Sequence, residues 1–183
     1  MSGIIAPGLS RSSGLMKALS AGGNTPAFCA YRGADSCSGD NCRDQIADNT
    51  YAVAAYNHEE YDSDGCYDPS TYKFTPNVAG DYFIFAQGHL RCHTDRFVNS
   101  VFEIRFNGST VIAGVTHEGN QSGGYTYDSE CTSRCSIIQT FNGTSDYVSV
   151  YWKLNVTTGL PIIAGGNNTN TYRPSQFLGY KLG

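Results

Sequence analysis

From Pro26 onward the chain alternates short apolar or alternating runs with turn signals, at the intervals typical of a β-sandwich. In residues 102–106, Phe102, Ile104 and Phe106 fall on one face of a strand while Glu103 and Arg105 fall on the other. Asn107-Gly108 then turns the chain, the strongest short hairpin signal it contains, and residues 111–115 return. Residues 137–141 lead through Asn142-Gly143 into 147–154, where Val148, Val150, Trp152 and Leu154 share the inward face. Residues 81–86 are apolar almost without a break, the pattern of a strand covered on both faces. Residues 50–56 and 177–182 suit two more strands. No segment of ten or more residues has helical periodicity, and there are no heptads and no Gly-X-Y repeat.

Polar stretches at 35–48, 117–134 and 157–175 are long for connections, which marks them as functional loops. Residues 1–25 differ from the rest: Gly, Ser and Ala with scattered Ile4, Ile5, Leu9, Leu15 and Met16, and two similar phrases, Ser2-Gly3-Ile4-Ile5 and Ser13-Gly14-Leu15-Met16. Such a segment cannot bury a core of its own. The expected organisation is an extended N-terminal anchoring arm over 1–25 and one domain over 26–183, with the five apolar side chains docking the arm on another protein.

Composition sharpens this picture. Of 183 residues only 15% are charged, while Tyr 13, Phe 9 and Gly 21 favour strands and tight turns. A formal net charge of −4 without a run of Lys or Arg gives no footprint for a phosphate backbone, and no stretch reaches the roughly 20 apolar residues of a membrane span. Neither nucleic acid nor membrane insertion is expected. Seven cysteines are many for a reducing compartment, yet the N-terminal residues do not read as a secretory signal. Both features together fit a particle assembled inside a cell and released from it, a virion. Because the cysteine count is odd, at least one is unpaired or intermolecular; Cys37 with Cys42, and Cys131 with Cys135, are the local disulfide candidates.

Reactive chemistry is sparse. His89, Cys92 and His93 lack the paired spacing of a zinc site and read as a strand end. Asp62-Ser63-Asp64-Gly65 resembles the start of a calcium loop, but Lys73 stands where a bidentate Glu would be needed. Calcium at Asp62 and Asp64 is the one cofactor the sequence admits. There is no Gly-x-Ser-x-Gly, phosphate loop or His-Glu-x-x-His, and no carboxylate pair stands out, so no enzyme is expected. Asn107, Asn120, Asn142, Asn155 and Asn167 each open an Asn-x-Ser/Thr sequon, read here as turn chemistry.

Three separated runs resemble the globular head of complement C1q and its relatives, which share the tumour-necrosis-factor jelly roll. Ala27-Phe28-Cys29-Ala30-Tyr31-Arg32 is similar to that family's opening strand. Tyr67-Asp68-Pro69-Ser70-Thr71-Tyr72-Lys73-Phe74, then Pro76 through Gly80-Asp81-Tyr82-Phe83-Ile84-Phe85, resembles its middle signature, and Ser175-Gln176-Phe177-Leu178-Gly179-Tyr180-Lys181-Leu182 its close. Tyr72 sits where the family prefers Gly, so a different turn is expected there. The resemblance implies an all-β jelly-roll β-sandwich assembling as a homotrimer. With the virion reading it points to a capsid decoration or cement protein of a tailed phage, bound through its arm to the major capsid protein or another virion protein. The alternatives are a tail-fibre knob recognising a host surface glycan, and a secreted C1q-like recognition protein.

Overall fold

The computed structural model describes residues 25–33, 43–92, 97–119, 130–165 and 173–183, and every regular element among them is a strand. In chain order these are β1 (Ala27–Tyr31), β2 (Arg43–Gln45), β3 (Ala52–Val53), β4 (His58–Asp62), β5 (Tyr67–Asp68), β6 (Lys73–Phe74), β7 (Gly80–Cys92), β8 (Phe97–Phe106), β9 (Thr110–Glu118), β10 (Glu130–Phe141), β11 (Val148–Val156), β12 (Pro161–Ala164) and β13 (Gln176–Lys181). They form two antiparallel sheets. The first has the order β2-β12-β7-β13-β1-β4 with β10 also on β7; the second runs β5-β6-β11-β8-β9 with β3 also on β11. β10 pairs with β7 from Gly80 to Arg91, while β13 and then β12 share the opposite edge of β7.

The two-residue alternation read from the sequence places the core. Phe102 and Ile104 of β8 and Val148, Val150, Trp152 and Leu154 of β11 are fully buried against Tyr82, Ile84, Ala86 and Leu90 of β7. Glu103 and Arg105 point the other way and pair with each other. The turn at Asn107-Gly108 adopts positive φ at both residues, 51° and 77°.

The three runs that carry the family resemblance meet in this core. Phe28 stacks on Phe74 (4.2 Å between ring centres) and on Tyr67 (5.1 Å), and Phe177 meets it edge-on at 4.8 Å. Tyr82 and Phe141 extend the cluster. Each buried tyrosine hydroxyl donates to a backbone carbonyl: Tyr56 to Gln87, Tyr67 to Tyr56 and Tyr82 to Val78. At Gly179 any Cβ would fall 2.7 Å from Ile84 Cδ1 and 3.0 Å from Phe28, so the close approach needs glycine.

Several elements depart from the sequence expectation. β10 starts at Glu130, inside a stretch read as loop, because pairing with β7 continues through polar residues. β2 and β12, also inside such stretches, pair with each other. Of 50–56 only Ala52–Val53 is a strand. The turn at Tyr72 is not remodelled: Tyr72 takes the left-handed conformation a glycine would adopt, φ 59°.

That turn is held from below by Asp68. Its carboxylate accepts from the Ser70 amide and from the hydroxyls of Ser70 and Thr71, which hold it down at about 2. The Tyr72 amide donates to the Asp68 carbonyl at 2.7 Å. A bulky L residue at this φ costs roughly 1 kcal/mol. Tyr72→Gly is therefore expected to raise stability by about 1 kcal/mol, read as a higher urea midpoint with an unchanged slope; an equal or lower midpoint would show that the tyrosine ring compensates for its backbone.

Candidate functional site

The apolar run at 81–86 was expected to be covered on both faces. One face is: Tyr82, Ile84 and Ala86 turn into the core. Phe83 and Phe85 turn outward and are only half-buried. Register shows what surrounds them. Phe83 lies between Ile138 of β10 and Tyr180 of β13, and Phe85 between Ser136 and Leu178, with Cys29 of β1 beyond Leu178. The Phe83 and Tyr180 rings are 5.5 Å apart. Ile138 is 60% exposed, an uncovered large aliphatic side chain on an edge strand.

Polar groups border this apolar centre. Arg134 donates to the Gln87 side chain at 2.6 Å, and next along β7 His89 Nδ1 meets the Thr132 hydroxyl at 3.1 Å. His89 and Arg91 both reach Glu130, at 3.4 and 3.3 Å. On the β1 side Arg173 ion-pairs with Glu60 and stacks on Tyr31, its Cζ 4.0 Å from the ring centre. The Cys29 thiol points at Glu60, 3.8 Å away, and burial pushes its pKa up while Arg173 pulls it down. Apolar middle and hydrogen-bonded rim together have the anatomy of a protein–protein interface.

The outer face of the second sheet is different, because it covers itself. Glu103, whose side chain is 8% exposed, holds Arg105, and the guanidinium lies over the Tyr51 and Tyr151 rings. Among the described residues, the large apolar side chains it leaves exposed are Tyr51 and Val111.

The residues singled out from sequence fall as follows. Ile4, Ile5, Leu9, Leu15 and Met16, with Cys37 and Cys42, lie outside the described residues. Cys131 and Cys135 are not joined: both sit on β10 facing inward, and at about 3.3 Å per residue their backbones are roughly 13 Å apart, beyond the reach of a disulfide. Cys131 instead meets the Ser100 hydroxyl, and burial pushes Cys135 up to about 12.

Asp62 is taken up by its own turn. One carboxylate oxygen accepts from the Asp64 amide and the other from the Tyr67 amide, while Asp64 accepts from the Ser63 hydroxyl. Among the described residues no three His, Cys, Asp or Glu gather as metal ligands. His89 and Cys92 sit on opposite faces of β7, Cys92 inward, and His93 lies outside the described residues. Asn107 and Asn142 use their side chains to tie turns, to Asp146 and Tyr147 and to the amides of 144–146 respectively. Sequence reading missed Ile138, Leu178 and Tyr180 as site residues. The available signal was the unbroken run at 81–86, whose second apolar face had to meet something.

No protein-family model matches the sequence, and no curated protein matches it. Solved structures do. Eiger TNF from S. frugiperda superposes with a TM-score of 0.56 at 9% identity, over 86% of this chain and 94% of that one. The globular domain of zebrafish complement 1qA protein gives 0.49 at 12% identity, over 86% and 98%. The fold is thus the jelly-roll β-sandwich expected from the sequence.

At the rim, burial holds His89 below the ordinary histidine value of 6.5, with Glu130 opposing and Arg91 adding to the shift. The unfolded chain then takes up this proton at a higher pH than the folded one. Stability from neutral His89 is complete above pH 6.5, starts to decline below that value and is lost as pH falls through the lowered folded value. The urea midpoint is expected to drop between pH 7 and pH 5, and to drop less in His89→Gln; an identical drop in both proteins would assign the effect elsewhere.

Proposed function

We propose that this protein is a non-catalytic assembly module that works as a homotrimer, its copies meeting through the outer face of the first sheet. The observation that carries the reading is the apolar centre of Phe83, Phe85, Leu178 and Tyr180, with exposed Ile138 beside it. Among the described residues this face is left partly in water, on a sheet whose other face already carries the core. A cyclic trimer needs a heterologous contact, one patch against a different one. Ile138 sits where face and edge meet, and β10 and β9 are edge strands paired on one side only among the described residues. An edge of this kind seated on a neighbour's apolar face would cover both, and would remove backbone groups that otherwise invite stray pairing. Three copies agree with the trimeric scaffold implied by the C1q/tumour-necrosis-factor resemblance.

For its setting we infer the surface of a tailed-phage virion, where the trimer decorates or cements the capsid. Residues 1–25 would be the arm, docking Ile4, Ile5, Leu9, Leu15 and Met16 on the major capsid protein or another virion protein, with 26–183 as the displayed domain. Composition supports this: seven cysteines, few charges, and small residues with scattered aliphatics before the domain.

Replacing Phe83 or Leu178 by Asp puts a charge in the centre of the face without touching the core. Light scattering is expected to show a trimer for the parent chain and folded monomers for either variant, while Tyr51→Ser on the opposite sheet stays trimeric. A variant that keeps its trimer mass would place the contact elsewhere. Deleting residues 1–20 is expected to leave the trimer intact and abolish attachment to the particle; particles that still carry the truncated protein would refute the anchoring role.

A further inference from the structure

The outer face of the second sheet carries a line of cations and tyrosine rings that the assembly face does not use. Lys73 Nζ lies 4.4 Å from the centre of the Tyr147 ring, and Arg105 Cζ 4.1 Å from Tyr151 and 4.6 Å from Tyr51. Lys153 Nζ closes the line, 5.2 Å from Tyr51. The order along the surface is therefore Lys73, Tyr147, Tyr151, Arg105, Tyr51, Lys153.

Charge is distributed unevenly along it. Arg105 is neutralised inside the protein by Glu103, its Nε 2.5 Å from the carboxylate, so its role is to hold the two rings in place. Lys73 and Lys153 have no carboxylate within ion-pair distance among the described residues. Lys73 precedes Phe74, which pairs with Val148, and so lies beside Ser149 of β11; Lys153 is four residues further along the same strand. Their attachment points are then roughly 13 Å apart at the rise of a β-strand. Two uncompensated ammonium groups on a chain of net charge −4, with fixed rings between them, select an anionic ligand that also has apolar faces.

We propose that this face binds an acidic polysaccharide, with sugar carboxylates on Lys73 and Lys153 and the C–H faces of the rings against Tyr51 and Tyr151. Tyr51, 43% exposed, offers the most open ring. A nucleic acid is the poorer match, because two ammonium groups neutralise too few phosphates for useful affinity. An acidic peptide would find the lysines but no use for the flat rings. The site lies on the sheet opposite the assembly face, so a trimer would display three copies outward, and weak single contacts would add through shared attachment to one polymer.

The full chain is titrated calorimetrically with polygalacturonate, with neutral dextran and polyaspartate in parallel. Polygalacturonate is expected to bind, dextran not to bind, and polyaspartate to bind more weakly. Lys73→Gln with Lys153→Gln, and separately Tyr51→Ala, are expected to weaken polygalacturonate by about tenfold or more, with oligomer mass unchanged and a cooperative unfolding transition retained. Lys181→Gln, which removes one lysine charge on the other sheet, is expected to have no effect. Absence of polygalacturonate binding overturns the proposal, as does equal binding of dextran. Polyaspartate that binds equally well and is indifferent to Tyr51→Ala overturns it too, leaving a bare cationic patch.

Discussion

The aromatic contact around Phe28 is the constraint on which the rest of this sandwich depends. Its strand is near the start of the described chain, its edge-on partner Phe177 is near the end, and Tyr67 and Phe74 come from the opposite sheet. One cluster of rings therefore closes the chain on itself and clamps the two sheets together. Gly179 is part of the same device, since any side chain there would strike Phe28 and Ile84. With β1, β13 and β7 fixed side by side, Phe83, Phe85, Leu178 and Tyr180 necessarily come together on the outer face. The apolar outer face is thus a consequence of how the core is closed.

The two outer faces solve the same problem in opposite ways. On the second sheet a half-buried ion pair, Glu103 with Arg105, lies against Tyr51 and Tyr151, so that its charges are satisfied within the chain. On the first sheet the central side chains are apolar and their hydrogen bonds lie at the border. Burying apolar area there is favourable at roughly 25 cal/mol per Å², which is the gain we propose another copy of the chain supplies. On the function proposed above, one sheet is displayed and the other is joined.

How much of this was legible beforehand follows from which forces act locally. The hairpin at Asn107-Gly108 and the inward row Val148, Val150, Trp152, Leu154 are written in period-two patterning and turn chemistry, and both are present as read. The polar start of β10 and the acidic strand β4 have no such pattern; they are strands because β7 and β1 offer unpaired backbone beside them. Spacing also misled at Cys131 and Cys135, where closeness in sequence was taken for closeness in space although an extended strand separates them. The apolar outer face was half legible: the run at 81–86 announced a second apolar surface, but its neighbours Leu178, Tyr180 and Ile138 are brought there by pairing between distant strands. Tyr72 shows a tertiary fold overriding a local preference, since the turn keeps its left-handed shape with the wrong residue in it.

On this proposal the apolar outer face of the first sheet is covered by other copies of the chain. Native mass spectrometry of the full chain at micromolar concentration tests that most directly. A dominant species of three chains is expected; a dominant species of one chain would refute assembly through this face.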